Sequence, residues 1–493
     1  MERWEKLRAR IEEIESIKQA AGVLQWDQHT FMPPGGAASR GRQLATLEAL
    51  VHERITAPSL AAQLSALESA PDGLDTIQRA ALKNIRREVD QATKLPAALV
   101  KALAVASAAA VGAWQQAKAA DDFAPFQPHL EALVDLKRQA AGHLGEAAHP
   151  YDNLLNQYDP GATVAELQPM FDRLAAGLRP LVAEAAAQPQ PEPITDTVPL
   201  EGLKVLNRRI VAALGFRDSD GRLDESAHPF TLGVVPSDVR LTTHYHTDNL
   251  LGTLFGTIHE TGHGLYEQGL PSRPGTLTDG AAGTGMHESQ SRFWENVIGR
   301  SRPFAGWLAE QLAVDIPSLK MDADRLFGAL NRVAPSLVRI HADELTYNLH
   351  IIVRFNLEVA LVEGSLQVKD LPGAWADQYE QIVGVRPASP AQGVLQDVHW
   401  AMGLLGYFPS YTIGNLYAAS LRYAMQDALP GMWDQVRRGD FDAVRGWLRE
   451  NIHSAGSVVD APELLARVVG DRDPVTDLIT HLSERRAAAA RLL

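Results

Sequence analysis

The sequence predicts a mainly α-helical protein with a very small β-sheet. Long stretches are built from Ala, Leu, Gln, Lys and Glu, all good helix formers. Strand signals, by contrast, occur at only two neighbouring places, 230–235 and 238–243. Apolar residues make up 45% of the 493 residues and charged residues 22%. That balance supplies a large globular core and excludes a disordered or fibrous chain.

Taken in order, residues 1 to about 24 read as an amphipathic helix. A break rich in aromatics, Pro and Gly follows, from Leu24 to Gly36, and a helix is expected from about Ser39 to His52. Residues 60 to 145 read as several helices punctuated near Gly73, Pro96 and Pro125. Asp159-Pro160-Gly161 is a turn, and the helix after it runs to about Ala187. The Pro-rich run from Gln188 to Pro199 is the best linker candidate. Phe230–Val235 and Asp238–Thr243 form a short hairpin, and from Asp248 onward the helical pattern returns. No internal repeat is present. No composition shift divides the chain, so residues 1–493 are expected to form a single domain. Within it, about 1–190 is a helical part and about 200–493 a catalytic part.

The most informative stretch is Gly256-Thr257-Ile258-His259-Glu260-Thr261-Gly262-His263-Gly264. On a helix, residues four apart lie one turn apart on the same face, so His259 and His263 point the same way. That is the geometry for two imidazole ligands on one zinc ion, with Glu260 beside them as general base. Leu250, Leu251, Leu254, Phe255 and Ile258 give this helix an apolar face. Asp248 or Asn249 can cap its start, and Gly269 followed by Pro271 stops it. A catalytic zinc needs a third protein ligand. Position 269, where one class of zinc protease has a third His, is Gly269. A carboxylate from a following helix is the alternative. Glu288 opens such a helix after a Gly-rich turn and is the chosen ligand. Glu295, two turns along, is the runner-up, and Glu267, on the helix of the histidines, is a poorer choice. The chain has no cysteine, so any metal ligands must be His, Asp or Glu.

Six motifs in order resemble the carboxypeptidase Taq family of metallocarboxypeptidases. They are His228-Pro229-Phe230, Asp238-Val239-Arg240-Leu241-Thr242, His259 to His263, His287-Glu288-Ser289-Gln290, Val338-Arg339-Ile340-His341-Ala342-Asp343, and Gly393-Val394-Leu395-Gln396-Asp397-Val398-His399-Trp400. Trp26-Asp27-Gln28 also looks like the family's. The resemblance covers nearly the whole chain. It implies a neurolysin-like helical fold with a deep groove, one wall of which is the part before about residue 190, and usually a homodimer. It also implies one zinc per chain, sometimes cobalt, bound by His259, His263 and Glu288. It brings forward Tyr411, with His399 beside it, as the donor to the developing oxyanion.

An enzyme of this kind must read a free C-terminal carboxylate, and the planar fork of arginine suits that task. Arg339 is the first choice and Arg240 the second; the bland alternative for Arg339 is an ion pair with Asp343 at i+4. The expected activity is removal of single C-terminal residues from short peptides. The alternatives are an oligopeptidase or dipeptidyl carboxypeptidase, and a non-catalytic helical scaffold whose metal is structural. The formal net charge of −14 disfavours nucleic acid as a partner. The charged start at Met1–Leu7, the lack of a stretch read as a membrane span and the absence of cysteine together suggest a cytoplasmic protein with no membrane partner.

Overall fold

The computed structural model describes residues 2–492. In chain order the helices begin with α1 (Glu2–His29), α2 (Ala37–Ile55), α3 (Pro58–Glu68), α4 (Thr76–Lys94), α5 (Ala97–Ala120), α6 (Gln127–Leu144), α7 (Pro150–Leu155), α8 (Val164–Ala186) and α9 (Leu200–Leu214). Three strands follow: β1 (Gly221–Glu225), β2 (Thr231–Val235) and β3 (Asp238–Thr243). Then come α10 (Leu250–Gly269), α11 (Thr284–Arg292), α12 (Arg302–Asp315), α13 (Ala323–Leu330), α14 (Glu344–Glu363), α15 (Leu371–Ile382) and α16 (Pro409–Ala428). The chain finishes with α17 (Met432–Arg437), α18 (Asp442–Asn451), α19 (Ala461–Val469) and α20 (Pro474–Ala490). The mainly helical expectation is therefore met. Two compact units gather these elements, each from three separated segments. The first comprises Met1–Thr93, Pro193–Leu330 and Ser420–Arg472; the second comprises Lys94–Glu192, Asn331–Ala419 and Asp473–Leu493. One passage between them falls inside the Pro-rich run singled out as a linker.

In the first unit, α1, α3 and α4 bury Leu7, Ile11, Ile14, Leu60, Leu64, Ile85 and Val89 against one another. Leu277, in the loop between α10 and α11, packs on that cluster. Its φ is +52, a conformation that costs an L residue with a bulky side chain. The surrounding structure holds it there. Besides the apolar contact, its carbonyl accepts from Asn84 Nδ2 at 2.8 Å and from Ser457 Oγ at 3.1 Å. The N-terminal helices thus fix the loop that leads into α11.

The sheet has the order β1-β3-β2, with β1 parallel and β2 antiparallel to β3. The hairpin of β2 and β3 lies where the sequence places it. β1 was not foreseen. Leu223 is its one apolar residue and it has no β-branched side chain, so its strand conformation comes from pairing with β3. Helix α10 packs on the sheet at Gly264, where a Cβ would stand 2.6 Å from a methyl of Leu241. Its start is capped by Asn249, whose side chain accepts from the Gly252 amide at 2.9 Å, and not by Asp248.

Two local expectations need correction. Helix α1 continues through Trp26 to His29, because Leu24–His29 contains no breaker and the first proline comes at Pro33. In addition, α5 is long and apolar enough, by length and composition, to cross a membrane, although no such span was read from the sequence. Its Ala-rich stretch reads in the sequence as a tightly packed helix. In the second unit this helix is tied to one loop through Ser107 Oγ to the Ala401 carbonyl (3.2 Å), Trp114 Nε1 to the Leu395 carbonyl (3.1 Å) and Lys118 Nζ to the Gln396 carbonyl (2.9 Å).

Leu7 is fully buried in the N-terminal cluster. Replacing it with Ala should lower unfolding stability by about 2–5 kcal/mol, read from urea denaturation. A loss below about 0.5 kcal/mol would mean the cluster does not anchor this unit.

Candidate metal centre

The first unit brings His259, His263 and Glu288 together. The two Nε2 atoms are 3.2 Å apart, and Glu288 Oε2 lies 3.8 Å from His259 Nε2 and 3.5 Å from His263 Nε2. A triangle with those sides has its centre about 2.0 Å from each corner, the length of a zinc–nitrogen or zinc–carboxylate bond. The donor set therefore fits a divalent cation. Among the described residues this is the one His/Asp/Glu group close enough to hold one.

The approach of the two helices makes this possible. An added Cβ at Gly262, inside the His-Glu-x-x-His turn, would stand 2.6 Å from Ser291 Cα and 2.8 Å from the Gln290 carbonyl oxygen. Such distances are steric overlap, so the backbones of α10 and α11 meet there only because residue 262 has no side chain. Directly after α11 the chain widens into a π-helical turn, Phe293–Ile298, closed by the Gly299 amide on the Trp294 carbonyl at 2.9 Å.

Glu295 sits in that wide turn, on the side of His259 away from Glu288. Glu295 Oε2 lies 2.8 Å from His259 Nδ1, the ring nitrogen away from the triangle. A carboxylate there needs a donor, so the proton belongs on Nδ1 and a lone pair is left on Nε2. Arg292 reaches both carboxylates, donating from Nε to Glu288 Oε1 at 2.7 Å and from Nη1 to Glu295 Oε2 at 3.1 Å. The third candidate, Glu267, is engaged elsewhere, 2.7 Å from His287 Nε2. The His287 ring in turn stacks on His263 at 4.4 Å.

Electrostatics follow this layout. Burial, the largest influence on Glu288, would raise its pKa, but Arg292 and His259 outweigh it and hold the carboxyl well below its usual range. Burial pushes His263 down to about 3, helped by the neighbouring His287, so its imidazole is neutral. His259 goes the other way. Burial alone would lower it, but Glu288 and the bond to Glu295 raise it. Glu260 is buried on the same helix, with Oε2 accepting from Thr231 Oγ1 of β2 at 2.7 Å, and burial raises its pKa. Arg240 of β3 is in this unit too. It forms a two-bond pair with Asp238, both at 2.9 Å, and its guanidinium lies 4.5 Å from the Trp26 ring centre.

The second unit brings Arg339, His399 and Tyr411 together. The Tyr411 hydroxyl is 3.3 Å from His399 Nε2, and the Arg339 guanidinium lies 5.1 Å from the Tyr411 ring centre. Arg339 pairs with Asp397 (Nη2 to Oδ1, 2.7 Å), not with Asp343, which caps α14. Arg354 takes the other oxygen of Asp397 at 2.6 Å. Two buried guanidiniums thus share one carboxylate. Burial lowers His399 to about 4, and Arg339 and Arg354 add to the shift. The loop bearing His399 is fastened to Glu358 of α14. This fully buried carboxylate accepts from Trp400 Nε1 (2.7 Å), the Gly406 amide (2.9 Å) and the Tyr151 hydroxyl (2.5 Å). Burial still pushes it up to about 7.

Sequence reading missed Arg292, Asp397, Arg354 and Glu358. Arg292 had a visible signal, since it lies four residues after Glu288 and three before Glu295. Asp397 stands inside a quoted motif. Arg354 and Glu358 lie mid-helix in an apolar run, and no local pattern marks their partners.

The chain matches the family model described as carboxypeptidase Taq (M32) metallopeptidase over residues 6–486. It is 38% identical over 488 residues to thermostable carboxypeptidase 1 of Thermus thermophilus, covering 96% of each. It is 35% identical over 484 residues to carboxypeptidase 1 of Bacillus subtilis, again covering 96% of each. Among solved structures, a carboxypeptidase of Pyrococcus furiosus superposes with a TM-score of 0.96 at 34% identity, covering 99% of both chains. The M32 carboxypeptidase of Deinococcus radiodurans gives 0.94 at 35%, covering 100% of both.

Two outcomes are expected. Gly262→Ala should separate α10 from α11 and weaken metal binding by about 10–100-fold, the range seen when the support of a ligand is lost. Chelator competition measures this, with circular dichroism to verify folding; unchanged affinity would mean that α11 yields at little cost. Glu358 generates a pH effect. Its folded pKa is raised from about 4.5 to about 7, so between those values the folded chain holds a proton that the unfolded chain has released. Its contribution is therefore fully present below about pH 4.5 and lost as pH rises to about 7. Relative to Glu358→Gln, the wild-type protein should lose stability across that window in urea titrations; parallel curves would contradict the shift.

Proposed function

Because the chain belongs to the carboxypeptidase Taq (M32) metallopeptidase family, whose members are metallocarboxypeptidases that hydrolyse peptide bonds, we propose that it removes single residues from the free C-termini of short peptides. The observation that carries the proposal is the triangle of His259, His263 and Glu288 with Glu260 on the same helix.

We assign the three ligands to zinc, with cobalt as the second candidate, since two imidazoles and a carboxylate without thiolate suit either. When bound, such a cation would supply Lewis acidity and make an attacking water more acidic. Glu260 takes the proton of the attacking water and delivers it to the leaving amine. The Tyr411 hydroxyl, with His399 holding its oxygen end, is the proposed donor to the oxyanion. Arg339 is the proposed anchor for the substrate carboxylate. Supporting this, Arg339 and Arg354 carry two positive charges against the single charge of Asp397, which leaves an excess suited to an anion. Arg240 is the weaker candidate because Asp238 already balances it. The absence of cysteine agrees with a reducing compartment, the cytoplasm.

Mass spectrometry of a digested peptide panel tests the reading. Single released residues support it, whereas dipeptides or internal cuts would favour a dipeptidyl carboxypeptidase or oligopeptidase. Glu260→Gln should lower kcat by about 10²–10⁴ or more while bound metal stays near one per chain. Normal turnover in that variant would remove Glu260 from the chemistry. Arg339→Ala leaves Asp397 paired with Arg354 and should cost about 2–5 kcal/mol in kcat/KM for free-carboxylate peptides only. An equal loss on amidated peptides would reassign the anchor.

A further inference from the structure

The two oxygens of Glu288 do different things. Oε2 faces the two imidazole Nε2 atoms at 3.8 and 3.5 Å. Oε1 accepts the Nε–H of Arg292 at 2.7 Å. Ser291 Oγ also lies 3.4 Å from Oε2, but it donates at 2.8 Å to the Glu288 carbonyl. Arg292 and Glu288 are both almost wholly buried, with side-chain exposures of 11% and 7%. Solvent therefore does not compete for either group, and the bond between them is charge-assisted. The same guanidinium holds Glu295 Oε2 at 3.1 Å, the oxygen that accepts the hydrogen bond from His259 Nδ1.

A carboxylate left to itself can close on a cation through both oxygens, and doing so here would use up the position that a catalytic site must leave open. We propose that Arg292 is a positioning residue that makes Glu288 a one-oxygen ligand, reserving Oε2 for the cation and keeping one coordination position free. The rigid fork also sets the spacing between Glu288 and Glu295, so one side chain positions ligands from α10 and α11 together. Lysine, a point donor, can satisfy Oε1 but cannot span both carboxylates.

The inference rests on the metal-centre reading, so its test first loads Co²⁺ into metal-free wild-type protein and into His263→Ala. Failure of the wild type to bind one equivalent, or unchanged binding in His263→Ala, would defeat the centre itself. Given a sound centre, the visible absorption of bound cobalt reports coordination number, weakening as ligands are added. Arg292→Met should lose absorption severalfold per bound cobalt as Glu288 turns to two-oxygen binding, and Arg292→Lys should retain the wild-type spectrum. If Arg292→Met does not fold, the double variant Arg292→Met/Glu295→Gln, which removes one stranded carboxylate, is compared with Glu295→Gln alone. A spectrum in the methionine variants identical to that of their parents, with stoichiometric cobalt, would overturn the proposal. A merely structural Arg292 would alter melting temperature without moving this signature.

Discussion

The backbone contact between α10 and α11 at Gly262 is the constraint on which the metal centre depends. Two histidines one turn apart can be supplied by any helix. The third donor must come from elsewhere in the chain, and its carboxylate reaches the imidazoles only if the helices touch main chain to main chain. At Gly262 a Cβ would stand 2.6 Å from Ser291 Cα, so any larger residue forces the helices apart. The loop joining them is held in turn by Leu277, whose strained backbone persists because its side chain is packed on the N-terminal cluster and its carbonyl is bonded twice. The candidate metal site is thus supported by a core whose first helix, α1, lies more than two hundred residues earlier in the sequence.

Behind His259 and Glu288, the buried carboxylates are matched by a buried guanidinium. Glu295 holds the far nitrogen of His259, and Arg292 answers both Glu288 and Glu295. The two imidazoles are not equivalent. Among the described residues His263 has no hydrogen-bond partner on Nδ1, and its ring is steadied by the stacked ring of His287. One imidazole is fixed by a bond and the other by packing. The second unit uses a different economy, in which Asp397 is shared between two guanidiniums and Glu358 fastens the loop that carries His399.

Much of this was legible in the residues. The helical class, the hairpin at 231–243, the helix bearing His259 and His263, and the opening of a second helix at Glu288 all follow from local pattern. The errors were local as well. The end of α1 was set at an aromatic cluster instead of at the first true breaker, and β1 escaped notice because its strand conformation comes from its partner. An Ala-rich helix that meets the length and composition of a membrane span reads in the sequence as a packed helix of good helix formers.

What the sequence alone determined was chemistry at fixed spacing: which side chains could bind a cation, which could move a proton, and that no thiolate could take part. Periodicity is written in the chain because a helix repeats every few residues whatever surrounds it. The tertiary structure decided which carboxylate faces the imidazoles, that Glu295 stands behind His259, and that Arg339 pairs with Asp397 rather than Asp343. Those choices depend on distances between segments far apart in the chain. Such distances are set by packing, down to the width of a single missing methyl group at Gly262, and no local pattern encodes them.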